Sequence, residues 1–294
     1  MEINTLLKNF PHELTEAILI AGTKDIQEIR IIGGKNCILI KNNSFYNTGV
    51  EVSQQAVVRI VDSFCKGSVY AAQSGLVNGY ITVSGGHRIG VCGKMVTEDG
   101  KITHMTDISA LCVRISREIL GAADPIMPFL EYKGKLYNSL IVSPPGCGKT
   151  TVLRDAARIL GEKFKVCIAD ERSEIAGTIG GLPRHDVGAF TCVMDSVPKA
   201  DGISILLRTM APQIIITDET GSHAEEKAIC EMINSGVKII TTAHGYSEKD
   251  ILRRKYLGSL VRDGVFERII VLSGRKGPAT VEKIIADGKV MMRA

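Results

Sequence analysis

The chain has no tryptophan, and aromatic residues fill only 5% of its 294 positions. Proteins that hold single-stranded nucleic acid stack bases on aromatic rings, so this scarcity counts against such a role. Charge of one sign is scarce too. With 36 basic and 32 acidic residues the formal charge is +4, too small for a global field that would draw nucleic acid. A local basic patch stays open. Nowhere do ~18 apolar residues follow one another, so no membrane-spanning helix is expected. The opening Met1 to Asn4 lacks the basic start and apolar run of a signal peptide. Eight cysteines are present (Cys37, Cys65, Cys92, Cys112, Cys147, Cys167, Cys192 and Cys230), none of them in a Cys-x-x-Cys pair. Several sit in apolar runs and read as small buried hydrophobes of a reducing compartment, with no structural zinc. Neither an internal repeat nor a low-complexity tract occurs. The expectation is a soluble cytoplasmic protein, free to dock at the periphery of a membrane complex.

At 45% hydrophobic residues the chain can bury a substantial core, and its pattern changes partway along. From Asp25 to Arg117, short β-type runs (Gln27 to Ile32, Cys37 to Ile40, Tyr80 to Val83, His87 to Val91, Leu111 to Ile115) alternate with turn signals at Gly33-Gly34, Gly85-Gly86 and Asp99-Gly100. One capped, apolar-periodic helix that starts at Ser53 is expected from Ser53 to Cys65. Pro125, Pro128 and Gly134 then punctuate a stretch suited to a linker. Beyond it, apolar strands at Leu136 to Val142, Lys165 to Ala169, Gln213 to Thr217, Val237 to Thr242 and Phe266 to Leu272 alternate with helical segments, which predicts a parallel sheet wrapped by helices. The expected organisation is an α+β domain over 1–120, a linker over 121–135 and an α/β domain over 136–294.

Ser143 to Thr151 reads Ser-Pro-Pro-Gly-Cys-Gly-Lys-Thr-Thr and lies between an expected strand and a helix expected over Thr151 to Leu160. That is the setting a phosphate-binding loop requires. Gly146 and Gly148 let backbone N–H groups turn inward around a β-phosphate, and the helix N-terminus favours an anion. Pro144, Pro145, Cys147 and Thr151 complete the cradle. Lys149 is expected to reach the β- and γ-phosphates and the Thr150 hydroxyl to coordinate Mg²⁺. Ser143 stands where the motif normally has its first glycine, which is tolerable if its φ stays negative. An ordinary Pro-Gly turn is the competing reading. No Asn-Lys-x-Asp run of the guanine-reading kind occurs, so ATP is the expected nucleotide.

Three later strands end in polar residues. Gln213 to Thr217 runs into Asp218 and Glu219, and in a parallel sheet such ends line the edge that carries the phosphate loop. Asp218 is expected to hold Mg²⁺ and Glu219 to orient or deprotonate the attacking water. The alternative is that the pair merely opens a polar loop and caps the next helix. Val166 to Ala169 ends in Asp170, Glu171, Arg172, Ser173 and Glu174, where Asp170 or Glu171 either supplements the metal and water groups or forms a solvated loop paired with Arg172. Val237 to Thr242 ends near His244, which with Thr241 and Thr242 is placed to sense a γ-phosphate; a purely structural histidine is the alternative. Arg208 contacts phosphate, a neighbouring subunit or only the surface. The fold these motifs predict is a RecA-like P-loop NTPase core with a smaller N-terminal α+β domain.

In their order, the phosphate loop (Ser143 to Thr151), an acidic box (Asp170 to Glu174), a Walker B strand (Ile214 to Glu219) and a histidine box (Thr241 to His244) resemble the secretion ATPases of type II and type IV systems. Ser84 to Gly90 and Ala169 to Ile175 look like the stage III sporulation protein AA family of endospore-forming bacteria, a likeness over nearly the whole chain. The resemblance implies a mother-cell cytoplasmic ATPase serving a channel to the forespore, with membrane-embedded channel components as partners. It further implies a homo-hexameric ring in which His87, Arg88 or Arg114 of one subunit supplies a positive charge to the site of the next. A Gly-Gly hairpin with exposed His87 and Arg88 is the plainer reading. The chain departs from the secretion pattern in pairing Asp218 with Glu219 where Gly usually precedes Glu, which leaves the division of labour between the carboxylates open. Two other functions compete: a nucleic-acid-dependent ATPase of RecA-like architecture, and a nucleotide switch in which turnover is incidental.

Overall fold

A computed structural model describes residues 3–41, 44–65, 75–83, 87–115, 118–178 and 180–293. The chain forms two compact units, Met1–Ser116 and Arg117–Ala294. In the first, helices α1 (Ile3–Leu7) and α2 (His12–Ile20) precede strands β1 (Ile26–Ile32), β2 (Lys35–Lys41) and β3 (Ser44–Val52). Helix α3 (Gln54–Cys65) and strands β4 (Tyr80–Val83), β5 (His87–Glu98) and β6 (Lys101–Arg114) come after them. The strands make one antiparallel sheet, ordered β3-β2-β1-β6-β5-β4. Alternate residues Ile29, Ile31, Ile89, Val91, Leu111 and Val113 face a core shared with Leu14, Ile18, Val57 and Ile60 of the helices. This one-sided burial is usual for an antiparallel sheet backed by helices.

The expected cap of α3 is present, since Ser53 Oγ accepts the Ala56 N–H at 3.2 Å. Asp99 and Gly100 take φ of 49° and 73°, the left-handed pair that a two-residue hairpin turn needs. The β5–β6 hairpin is longer than the sequence reading expected. Its outer half, Lys94 to Thr106, is largely exposed or half-buried and so has no apolar alternation to announce it. The same reason hid β3, and the short α1 and α2 gave too few turns to show a period. Ser84, Gly85 and Gly86 lie outside the described residues.

The second unit begins with α4 (Met127–Leu130) and the short pair β7 (Glu131–Tyr132) and β8 (Lys135–Leu136). Residues 121–135, expected as a linker, fold into this unit instead: Ala123, Ile126 and Leu130 are fully buried in its core. Next come β9 (Ser139–Ser143), α5 (Lys149–Leu160), β10 (Val166–Asp170), β11 (Thr191–Asp195), α6 (Lys199–Thr209), β12 (Ile214–Thr217) and α7 (His223–Asn234). β13 (Lys238–His244), α8 (Glu248–Leu252), α9 (Lys255–Arg262), β14 (Arg268–Ser273), β15 (Thr280–Ala286) and β16 (Lys289–Arg293) complete it.

These strands form a sheet ordered β11-β10-β12-β13-β9-β14-β15-β16, parallel from β11 to β14 and antiparallel from there on. Its central strands are buried on both faces, which explains their unbroken apolar spelling. Ile141, Ile168, Ile216, Ile240 and Ile270 pack on one side against Val152, Leu153 and Ala156 of α5. Leu140, Val142, Cys167, Ile215 and Ile239 pack on the other against Ile203 of α6, Ile229 of α7 and Leu257 of α9. The carboxyl ends of β9, β10, β12 and β13 therefore share one edge. No helix among the described residues is long and apolar enough to cross a membrane.

Candidate functional site

β9 ends at the buried Ser143, and the chain turns through Pro144 to Gly148 into α5. Ser143 is absent from the positive-φ residues, whereas Gly146 and Gly148 take φ of 72° and 88°. A Cβ on Gly148 would lie 2.9 Å from the Ala279 nitrogen, whose N–H donates to Cys147 O at 2.9 Å. The segment between β14 and β15 thus braces the loop, a contact with no local signal in the sequence. Lys149 is 5% exposed and its Nζ donates to Ser143 O (3.2 Å), Pro144 O (3.3 Å) and His244 Nδ1 (2.9 Å). Burial lowers its pKa, opposed by the negative charge of Glu219.

His244 ends β13, the strand beside β9, and pairs in register with Ser143. An ammonium only donates, so Nδ1 of the imidazole accepts and the ring proton sits on Nε2. That nitrogen lies 2.7 Å from Glu219 Oε1. Lys149, His244 and Glu219, given separate roles by the sequence, form a continuous polar chain across two strand ends.

Glu219 comes directly after β12 with φ of 33°, a conformation that costs a non-glycine residue about 1–3 kcal/mol and persists only where neighbours impose it. Its N–H donates to Thr242 Oγ1 (2.9 Å), its C=O accepts from Lys199 Nζ (2.8 Å), and Arg172 lies 3.4 Å from Oε2. Thr241 and Thr242 do not face open solvent. Thr241 shares a 2.5 Å hydrogen bond with Thr220, so both threonines hold the turn after β12. Asp218 is 1% exposed, and burial raises its pKa, with Lys199 pulling the other way. Its Oδ1 makes no hydrogen bond among the described residues; Lys199 at 3.4 Å is an ion pair. A buried carboxylate oxygen left without a hydrogen bond, at the edge shared with Thr150, is a donor suited to a small hard divalent cation.

The other expected residues separate. Asp170 is engaged by backbone: its carboxylate accepts the N–H groups of Glu174 (2.9 Å), Ile175 (3.0 Å) and Ala176 (2.8 Å), folding the acidic box. Burial pushes its pKa up to about 6 against those bonds. Glu171 is exposed and reaches Lys199 only at 3.9 Å, while Glu174 is half-buried with its charge felt at Asp218. Arg208 sits in the last turn of α6, at the opposite edge of the sheet, because that helix runs back antiparallel to the strands. Lys199, in its first turn, occupies the site edge instead. His87 is 1% exposed, not exposed as a hairpin tip would be, and burial lowers its pKa to about 4. Arg88 lies over the Tyr80 ring at 4.0 Å and pairs across the sheet with Arg114, both in the first unit. The Asp218–Glu219 pair does not cap α7. Ser222 does, in a reciprocal box with Glu225 that its Ser-x-x-Glu spelling announces. Sequence reasoning also missed Arg154 of α5, whose buried guanidinium donates to Ile175 O (2.7 Å) and Glu174 O (2.6 Å). Hydrophobic periodicity carries no mark for a buried cation.

The family model for sporulation stage III, protein AA, matches residues 2–291. Stage III sporulation protein AA of Bacillus subtilis (strain 168) is 38% identical over 276 residues, spanning 92% of this chain and 90% of its own. Among solved structures, the ATPase DotB of Yersinia pseudotuberculosis superposes with a TM-score of 0.62 at 15% identity, covering 95% of this chain and 80% of its own. DotB of Legionella pneumophila gives 0.54 at 18%, covering 89% and 76%. The fold is therefore the RecA-like P-loop fold of such ATPases, as the motifs led one to expect. The chain belongs to the stage III sporulation protein AA family.

Proposed function

We propose that this member of the sporulation AA family is a Mg²⁺-dependent ATPase, a secretion-type motor that hydrolyses the β–γ anhydride of ATP to energise a channel between mother cell and forespore. The observation that carries the reading is the chain from Lys149 through His244 to Glu219, which links the phosphate loop to the carboxylate best placed to activate water. In this role Lys149 exchanges its bonds to Ser143 O, Pro144 O and His244 for the β- and γ-phosphates. Gly146, Gly148 and the first turn of α5 supply N–H groups to the phosphates, within the cradle of Ser143 to Thr151. Thr150 and Asp218 would hold Mg²⁺, which when bound neutralises charge on the phosphates. Glu219 accepts a proton from, or orients, the attacking water, and His244, released by Lys149, reports γ-phosphate occupancy to β13 and to helix α8 beyond it.

Family membership and the secretion-ATPase fold support a cytoplasmic homo-hexamer docked on membrane-embedded channel components, with Arg88 or Arg114 acting in trans on a neighbour's site. The test joins Mg²⁺-dependent ATP hydrolysis to mass in solution for the parent, Lys149→Ala and Glu219→Gln. Both substitutions are expected to lower kcat at least about 100-fold. Glu219→Gln should still bind ATP and accumulate the ring. Turnover indifferent to Glu219 in a chain that stays monomeric with ATP would replace the motor by a nucleotide switch.

A further inference from the structure

Lys199 opens α6 with its side chain 5% exposed, and the proposed ATPase mechanism does not use it. A buried ammonium is costly unless oxygens surround it. Here three do, from two strand ends: Glu219 O at 2.8 Å, Asp218 Oδ1 at 3.4 Å and Glu171 Oε2 at 3.9 Å. The Asp218 oxygen it faces is the one with no hydrogen bond. Its hydrogen bond, meanwhile, goes to the peptide that carries Glu219 in a positive-φ conformation.

From these contacts we propose that Lys199 is a positioning residue with two linked effects: a resident counter-ion that competes with the divalent cation for Asp218, and a clamp on the strained Glu219 peptide. The first effect weakens metal binding, because a fixed positive charge sits against the ligand. The second sharpens turnover, because Glu219 is held toward His244 from its carbonyl side as Thr242 holds it from its N–H side. The two effects oppose each other, so loss of Lys199 should tighten the metal while slowing the reaction. Loss of a merely structural lysine would weaken both. The inference rests on the proposed site for both effects: on Asp218 as a metal ligand for the first and on ATP hydrolysis at Glu219 for the second.

The test is a Mn²⁺ titration in the presence of ADP, read by the paramagnetic resonance of free Mn²⁺, with steady-state ATP hydrolysis alongside. Lys199→Met should bind Mn²⁺ about tenfold tighter, as expected when one unit charge a few ångströms away is removed. Its kcat should fall at least about tenfold with KM for ATP changed less than about threefold. Lys199→Arg, which keeps the charge, should retain the parent's Mn²⁺ affinity. If Lys199→Met does not fold, Lys199→Gln removes the charge while keeping a donor for Glu219 O, so it should show the tighter Mn²⁺ binding with a smaller loss of kcat. Mn²⁺ affinity unchanged or weakened in the neutral variants, or equally tightened in the arginine variant, overturns the proposal. A parent that binds Mn²⁺ with ADP but never hydrolyses ATP fails the ATPase reading and leaves the metal effect standing on its own titration.

Discussion

Gly148 shows how much a single backbone position decides here. Its φ of 88° and the 2.9 Å approach of the Ala279 nitrogen both exclude a side chain, so Gly148→Ala must distort the loop that would meet the phosphates. The expected outcome is loss of ATP binding by at least about 30-fold, measured with a fluorescent nucleotide, with a loss of stability of about 1–3 kcal/mol read from the thermal midpoint. Ser143 makes the opposite case. Its φ is not positive, so a residue with a Cβ fits where the motif usually has glycine. Among charged residues the sequence named Lys149, Asp218 and Glu219 because each comes after a recognisable strand. It did not name Lys199 or Arg154, whose partners lie about 20 residues away along the chain.

Elements fix which residues reach the site edge. Helices α5, α6 and α7 each follow the carboxyl end of a parallel strand and lead back to the start of the next, which brings Lys199 in and carries Arg208 away. After β12, the cap on α7 determines how soon the chain turns back. Ser222 Oγ accepts the Glu225 N–H, and Glu225 Oε2 accepts the N–H groups of Gly221 and Ser222 at 2.7 and 2.8 Å. Replacing Ser222 by Ala should lower stability by about 1 kcal/mol, read from denaturant midpoints, and leave Mn²⁺ binding with ADP within about twofold of the parent. A larger effect on the metal would mean that the cap also sets the Glu219 turn.

For the whole molecule, the two units carry separate cores, and acid should act on the first through His87. Its pKa of about 4 in the fold lies below the ordinary 6.5, so the unfolded chain takes up the proton first. The resulting stability is complete above pH 6.5 and is lost as pH falls toward 4, about 2 kcal/mol of it by pH 5. Thermal unfolding of the full chain at about pH 7.5 and pH 5 checks this, and a His87→Gln variant should show a shallower pH slope for the transition of the first unit. An identical slope would place the acid sensitivity elsewhere.

The sequence by itself determined the α/β alternation, the phosphate loop and the strand ends that carry Asp218, Glu219 and His244. Those signals are local: apolar runs, glycine and proline punctuation, and a short motif read within a few residues. Tertiary structure alone decided which polar residues meet. The parallel order β10-β12-β13-β9 sets Glu219 against His244 and His244 against Lys149. It turned Asp170 inward onto three backbone N–H groups. It also drew residues 121–135 into the second core, and brought a lysine from the start of α6 against the carboxylate at the end of β12. Such contacts depend on strand order and register, and one-dimensional spacing does not record either.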